Sequence, residues 1–159
     1  MRLYFLRHGI ADHPGWSGPD TERPLNPEGV ESMQKEAKRL AKIGIDPGLI
    51  LYSPLVRCRQ TAELVAVALD ATDRMRAEPK LAPGFTRGDL TPLLQANAAA
   101  AELMFVCHSP DCDEVLRALV GGPSLHLGKG AIACVDLDEI SARATGKLKW
   151  LATRKLLTK

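Results

Sequence analysis

Two histidines and two arginines stand immediately beyond short apolar runs in this chain, and that placement is where its chemistry is to be sought. Leu3-Tyr4-Phe5-Leu6 leads into Arg7-His8-Gly9, Leu49-Ile50-Leu51-Tyr52 into Ser53-Pro54-Leu55-Val56-Arg57, and Leu103-Met104-Phe105-Val106-Cys107 into His108. A guanidinium offers a planar fork of donors that fits phosphate oxygens, and an imidazole attacks phosphorus or donates a proton. Brought to one rim, these four side chains suit a phosphoryl group. Cys107 and Cys112 bracket His108, but a cysteine nucleophile of the phosphatase kind needs Cys-x5-Arg, and position 113 is Asp. Nothing in the spacing of His13 or His126 ties them to the others. Arg23 is placed at the pocket mouth, and Ser53 reads as a helix cap rather than a ligand.

The elements that must position these groups follow from the pattern of apolar residues. The three runs read as buried strands, the first over 2–7. Residues 9–24, with three Pro and three Gly, form a long loop at the end of that strand. Asn26-Pro27-Glu28 starts a helix, with Asn as cap and Pro at the first helical position, and Met33, Ala37, Leu40 and Ala41 continue it to Gly44. A second helix is predicted over 59–69, a weaker strand near 76–79, a loop over 81–89, and a helix over 91–101 with Pro92 at its start. A helix over 111–120 ends at Gly121-Gly122, and 131–137 and 147–151 read as two final strands at an edge. Strands alternating with helices predict a single three-layer α/β/α domain over 1–159, built on a largely parallel central sheet, whose site lies beyond the carboxyl ends of the strands.

Composition removes several classes of function. The 159 residues suit one domain, and Lys plus Arg less Asp plus Glu is 21 − 19 = +2, too small a surplus for a nucleic-acid footprint or an anionic membrane surface. No apolar stretch approaches the ~20 residues of a membrane span, and the start of the chain lacks a signal-peptide pattern. Cys58, Cys107, Cys112 and Cys134 have no zinc-site spacing, so the expectation is a reduced, cytoplasmic protein with buried thiols and no structural metal.

Arg7-His8-Gly9, Arg23-Pro24-Leu25-Asn26 with Gly29, Ser53-Pro54-Leu55 with Arg57 and Gln60-Thr61-Ala62, and His108 after an apolar strand together resemble the histidine phosphatase superfamily, the RHG or phosphoglycerate-mutase-like proteins. The short chain without a large central insertion is most similar to the SixA-type phosphohistidine phosphatase branch. The resemblance implies that His8 takes the phosphoryl group covalently, that Arg7 and Arg57 bind its oxygens, and that His108 donates a further hydrogen bond. It implies Gly9 and Arg23 at the substrate as well, and neither metal nor cofactor. Nearby guanidinium charges disfavour protonation of His8 and stabilise the transition-state oxygens. Asp89 is the position-based candidate for a general acid, with Asp12 a weaker one. The expected substrate is a phosphohistidine-containing protein. The alternatives are a small phosphorylated metabolite, hydrolysed as a phosphomonoester, or a non-catalytic phosphate-recognition module.

Overall fold

The computed structural model describes residues 1–123 and 125–159. Its six strands are β1 (Arg2–Arg7), β2 (Leu49–Tyr52), β3 (Met75–Ala77), β4 (Glu102–Cys107), β5 (Ile132–Leu137) and β6 (Gly146–Ala152). They form one sheet in the order β3-β2-β4-β1-β5-β6. The uninterrupted apolar runs occupy its centre, because a strand covered on both faces has no polar side to show. β3, β2, β4 and β1 are mutually parallel, and β5 and β6 are antiparallel additions on the β1 side. The two final strands expected at an edge are these. The register pairs Arg7 with Cys107 and Tyr52 with Val106, so the residues following all three strands emerge along one rim.

Helices cover both faces. α1 (Pro27–Lys42) and α2 (Val56–Ala68) share a core with Tyr4, Leu6, Ile50, Met104 and Val106, whereas α3 (Arg87–Ala96) and α4 (Asp111–Val120) are associated with the opposite core of Leu3, Phe5, Leu51, Leu103 and Phe105. The split follows from strand geometry: successive side chains of β1 point to opposite faces. Each fully buried Leu or Phe contributes roughly 1.5–3 kcal/mol relative to exposure, so the two layers clamp the sheet and hold its rim in place. The fold is therefore the expected three-layer α/β/α arrangement. A short α5 (Arg154–Leu157) follows β6 and packs on α1.

Local signals account for most boundaries. The Asn26 side chain accepts from the Gly29 N–H at 2.7 Å and caps α1, and Gly121 closes α4 with φ of 67°. Two expectations are corrected. α3 spans Arg87–Ala96 rather than 91–101, because a Thr86/Asp89 capping box sets its start; Pro92 lies inside the helix. Cys107 and Cys112 are joined in a disulfide, so only Cys58 and Cys134 are free thiols, both buried. Among the described residues no helix is long and apolar enough to cross a membrane.

Candidate active site

β1 ends at Arg7, and the His8 N–H donates to the Cys107 carbonyl at 3.2 Å, which carries the sheet register one residue beyond the strand. The chain must then turn sharply under α1. A Cβ on Gly9 would stand 3.3 Å from Leu25 and 3.4 Å from the Gly29 carbonyl, and a Cβ on Gly29 would stand 2.0 Å from the Ile10 carbonyl. Glycine at 29 is therefore a requirement of the close approach between the loop after His8 and the first turn of α1. Gly9 N–H donates to Thr61 Oγ1 at 3.1 Å, and Leu25 N–H donates to Gln60 Oε1 at 2.8 Å. Gln60 and Thr61, on α2, thus tie the loop that follows His8 near both of its ends.

Hydrogen bonding settles the tautomer of His8. Its Nδ1 lies 2.8 Å from the Gly9 carbonyl, which only accepts, so Nδ1 carries the proton and Nε2 keeps a lone pair. Arg57 Nε donates to that Nε2 at 3.3 Å. Burial, chiefly, with the positive neighbours Arg57 and Arg7 adding to it, pushes the His8 pKa down to about 3. The ring is a neutral base at ordinary pH. His108 stands with its ring centroid 5.3 Å from that of His8. Burial and then the Arg57 charge lower its pKa to about 4.

Three guanidiniums surround the imidazoles. Arg57, on the first turn of α2 and 4% exposed, donates from Nη1 to the Asp20 carbonyl at 2.8 Å and from Nη2 to the Asp20 carboxylate at 3.0 Å. Arg23 donates from Nε and Nη2 to the other carboxylate oxygen of Asp20 and from Nη1 to the Ala11 carbonyl. Arg7 donates to the Leu127 carbonyl at 2.8 Å, and its buried Nε has no partner among the described residues. An open cleft of ≈ 400 Å³ is lined by Arg7, His8, Arg23, Arg57 and His108, together with Asp12, Asp111 and Lys129.

The residues read from the sequence as Arg7, His8, Arg23, Arg57 and His108 are thus brought to one cleft, while Gly9 sits beneath it and acts through its backbone. Ser53 departs from the cap expected of it: α2 begins at Val56, and Ser53 Oγ lies 2.8 Å from His108 Nε2. It is completely buried, so the ring is the partner its hydroxyl needs. Asp89 also departs. Its carboxylate accepts from the Thr86 N–H and hydroxyl and pairs with Lys80 at 3.3 Å, and it does not line the cleft, because its position three residues after Thr86 closes the capping box. Asp12 does line the cleft but is bonded to Lys129 at 2.8 Å, which holds its carboxyl below the usual range. His13 bonds the Pro24 carbonyl, and His126 pairs with Asp113, both away from the imidazole pair.

Sequence reasoning missed Asp20, Asp111 and Lys129. Asp111 follows His108 by three residues at the start of α4, and its carboxylate accepts the Gly84 N–H at 2.8 Å; its place after the third strand end was the available signal. Asp20 opens a single 3-10 turn within the first loop and Lys129 lies in a turn before β5, neither with a periodicity to mark it. Among the described residues no three His, Cys, Asp or Glu side chains group as metal ligands.

Two neutral imidazoles and three guanidiniums thus meet at the carboxyl rim of a largely parallel sheet on an α/β fold, a donor set chemically suited to a phosphoryl group. Residues 3–82 match the family model of the histidine phosphatase superfamily, branch 1, and the chain belongs to that superfamily. It is 38% identical over 128 residues to an uncharacterised protein of Picosynechococcus sp., a match covering 79% of this chain and 77% of that one. It is 29% identical over 153 residues to phosphohistidine phosphatase SixA of Escherichia coli, covering 94% of this chain and 92% of the relative. A solved structure of the protein histidine phosphatase SixA complexed with tungstate superposes with a TM-score of 0.87 at 28% identity, covering 98% of both chains.

Proposed function

We propose that this chain is a protein phosphohistidine phosphatase that works through a covalent intermediate on His8. The observation that carries the reading is the state of the His8 ring: neutral, with its proton on Nδ1 and its Nε2 lone pair beside Arg57. Nε2 attacks phosphorus, the bond from phosphorus to the substrate imidazole breaks, and that imidazole leaves neutral once its ring is protonated. Arg7, Arg57 and Arg23 hold the three oxygens as charge gathers on them. In the assignment that fits, Ser53 donates to His108 Nε2, which leaves the Nδ1–H of His108 to donate to a phosphoryl oxygen. Water then attacks the phosphohistidine on His8, phosphate departs, and the lone pair returns to Nε2.

The leaving group favours phosphoramidates. An alkoxide needs an acid to protonate it, and an acid at neutral pH needs a raised pKa. Asp12 and Asp20 are both held ionised by their Lys and Arg partners, and Asp111 accepts a backbone N–H. A nitrogen leaving group departs with less help. The relatives named as SixA fit this substrate class. The donor set also fits metal-independent turnover, so EDTA is expected to leave the rate unchanged; a collapse restored by a divalent ion overturns that part of the mechanism.

The experiment is rapid quenching during turnover of a radiolabelled phosphohistidine peptide, run beside a panel of phosphate esters. The wild type is expected to carry an acid-labile, base-stable label that His8→Ala lacks. Rates are expected to fall steeply from phosphoramidates and aryl phosphates to alkyl phosphates. Comparable turnover of alkyl phosphates would make a small-metabolite esterase the better reading, and no turnover of any phosphorylated compound would leave only phosphate recognition.

A further inference from the structure

A second hollow, of ≈ 580 Å³, adjoins the catalytic cleft and shares Arg7, Asp12 and Lys129 with it. Its far wall is built by Glu28 and by Arg154 and Lys155 of α5. The topology explains why the end of the chain reaches the site. β5 pairs Ile132 with Leu6 of β1, and β6 pairs Ala152 with that same Ile132, so the chain leaves β6 on the rim that carries His8. From Lys147 onward the chain has the cations Lys147, Lys149, Arg154, Lys155 and Lys159 and no acid. An overall charge of only +2 therefore hides a basic terminal segment beside the site.

The charges lining the hollow do not cancel. Lys129 is bonded to Asp12 at 2.8 Å and Arg154 to Glu28 at 3.0 Å. Arg7 and the exposed Lys155 form no ion pair among the described residues. Four cations against two acids leave a surplus of +2 in a groove that opens on the phosphoryl pocket. Arg7 also serves the phosphoryl group together with Arg57 and Arg23, so the charge left over for a ligand along the groove is +1, carried by Lys155, with Lys129 and Arg154 in exchangeable surface pairs beside it. Like-signed groups along one groove attract a chain of opposite sign, and they act on encounter and selectivity more than on the chemical step.

We propose that this groove is the docking track for the polypeptide that carries the phosphohistidine, and that it selects a partner with carboxylates flanking that histidine. The proposal rests on the phosphohistidine reading above and adds the character of the partner surface. Arg154 and Lys155 act on the flanking residues, Lys129 and Arg7 where the track meets the pocket. Because Lys155 is exposed and Arg154 and Lys129 are partly so, the preference depends on salt: screening lengths shrink from about 30 Å at 0.01 M to about 3 Å at 1 M.

Three phosphohistidine peptides of equal length test it, with Glu, Gln or Lys on both sides of the phosphohistidine, and p-nitrophenyl phosphate serves as the small reference substrate. At low salt the wild type is expected to turn over the Glu-flanked peptide with kcat/KM about tenfold above the Gln-flanked one, the scale of one or two charge contacts, and the gap closes toward parity near 1 M salt. The double variant Arg154→Glu with Lys155→Glu is expected to lose or invert the preference while leaving p-nitrophenyl phosphate turnover unchanged. Lys155→Glu alone, which breaks no ion pair, is expected to reduce the preference severalfold even if the double variant unsettles α5. Equal rates on all three peptides, or a preference untouched by Lys155→Glu, overturns the docking track and leaves the phosphohistidine reading standing. Turnover of p-nitrophenyl phosphate with none of any peptide overturns the phosphohistidine reading itself.

Discussion

Arg57 makes three contacts with one planar group: Nε to the His8 lone pair and the two terminal nitrogens to Asp20. A lysine keeps the charge and loses the fork, so Arg57→Lys is expected to lower kcat/KM by about 10²-fold or more, as removal of a preorganised donor at a transition-state oxygen does. Steady-state kinetics on p-nitrophenyl phosphate checks this, and a near-normal rate removes Arg57 from the pocket. Asp20 raises a different expectation. Its carboxylate occupies donors of Arg57 and Arg23 that an incoming oxyanion also wants, so Asp20→Ala is expected to tighten inhibition by vanadate about fivefold, the scale of one partly exposed charge pair. Weaker inhibition would mean that Asp20 chiefly holds Arg57 in position. The difference between these residues is also a difference in legibility. Arg57 lies a fixed distance beyond an apolar strand and inside a motif, whereas Asp20 lies in a polar loop where neighbouring acids look alike, and only the folded loop brings it to Arg57.

The strands were legible because burial on both faces leaves an unbroken apolar run, and their parallel order then forces His8, Ser53 and His108 onto one rim. Helix ends were legible where a side chain caps the backbone, as Asn26 does. α3 was misplaced because Pro92 reads as a first-turn residue, while the capping box six residues earlier governs the start; the same box bonds the Asp89 carboxylate to Thr86, outside the lining of the cleft. The loop between β1 and α1 depends on one contact between elements, the Ile10 carbonyl lying where a Cβ on residue 29 would go. Gly29→Ala is therefore expected to push α1 away from the loop, destabilising the fold by about 1–3 kcal/mol and lowering activity with it. Urea denaturation followed by circular dichroism measures the first effect. An unchanged midpoint would show that the loop yields without strain.

Stability of the whole molecule against pH follows from three buried groups. Glu36, on the apolar face of α1 with Met33, Ala37 and Leu40, is completely buried, and among the described residues neither carboxylate oxygen has a hydrogen-bond partner. Its place three residues after Met33 put it on that face in the sequence, yet a single acid at a core position is read as surface until the packing is known. Burial pushes its pKa up to about 8, from 4.5 for the unperturbed group. Between those values the unfolded chain releases a proton that the folded one keeps, so this group makes stability fall as pH rises. His8 and His108 act in the other sense: their folded pKa values, about 3 and about 4, lie below the unperturbed 6.5. Below pH 6.5 the unfolded chain takes up two protons that the folded one refuses, so their contribution is lost as pH falls. The two histidines outweigh the one acid between pH 4.5 and 6.5, and above that the acid acts without them. Stability is expected to peak near pH 6.5 and to decline toward pH 8 at no more than about 1.4 kcal/mol per unit. Replacing Glu36 by Leu removes the group responsible for that decline, so the variant is expected to show a flat stability profile from pH 6.5 to 8 while retaining the loss in acid. Denaturant midpoints across this range decide the matter: a wild-type profile already flat above pH 6.5 would show that Glu36 is ionised in the folded protein.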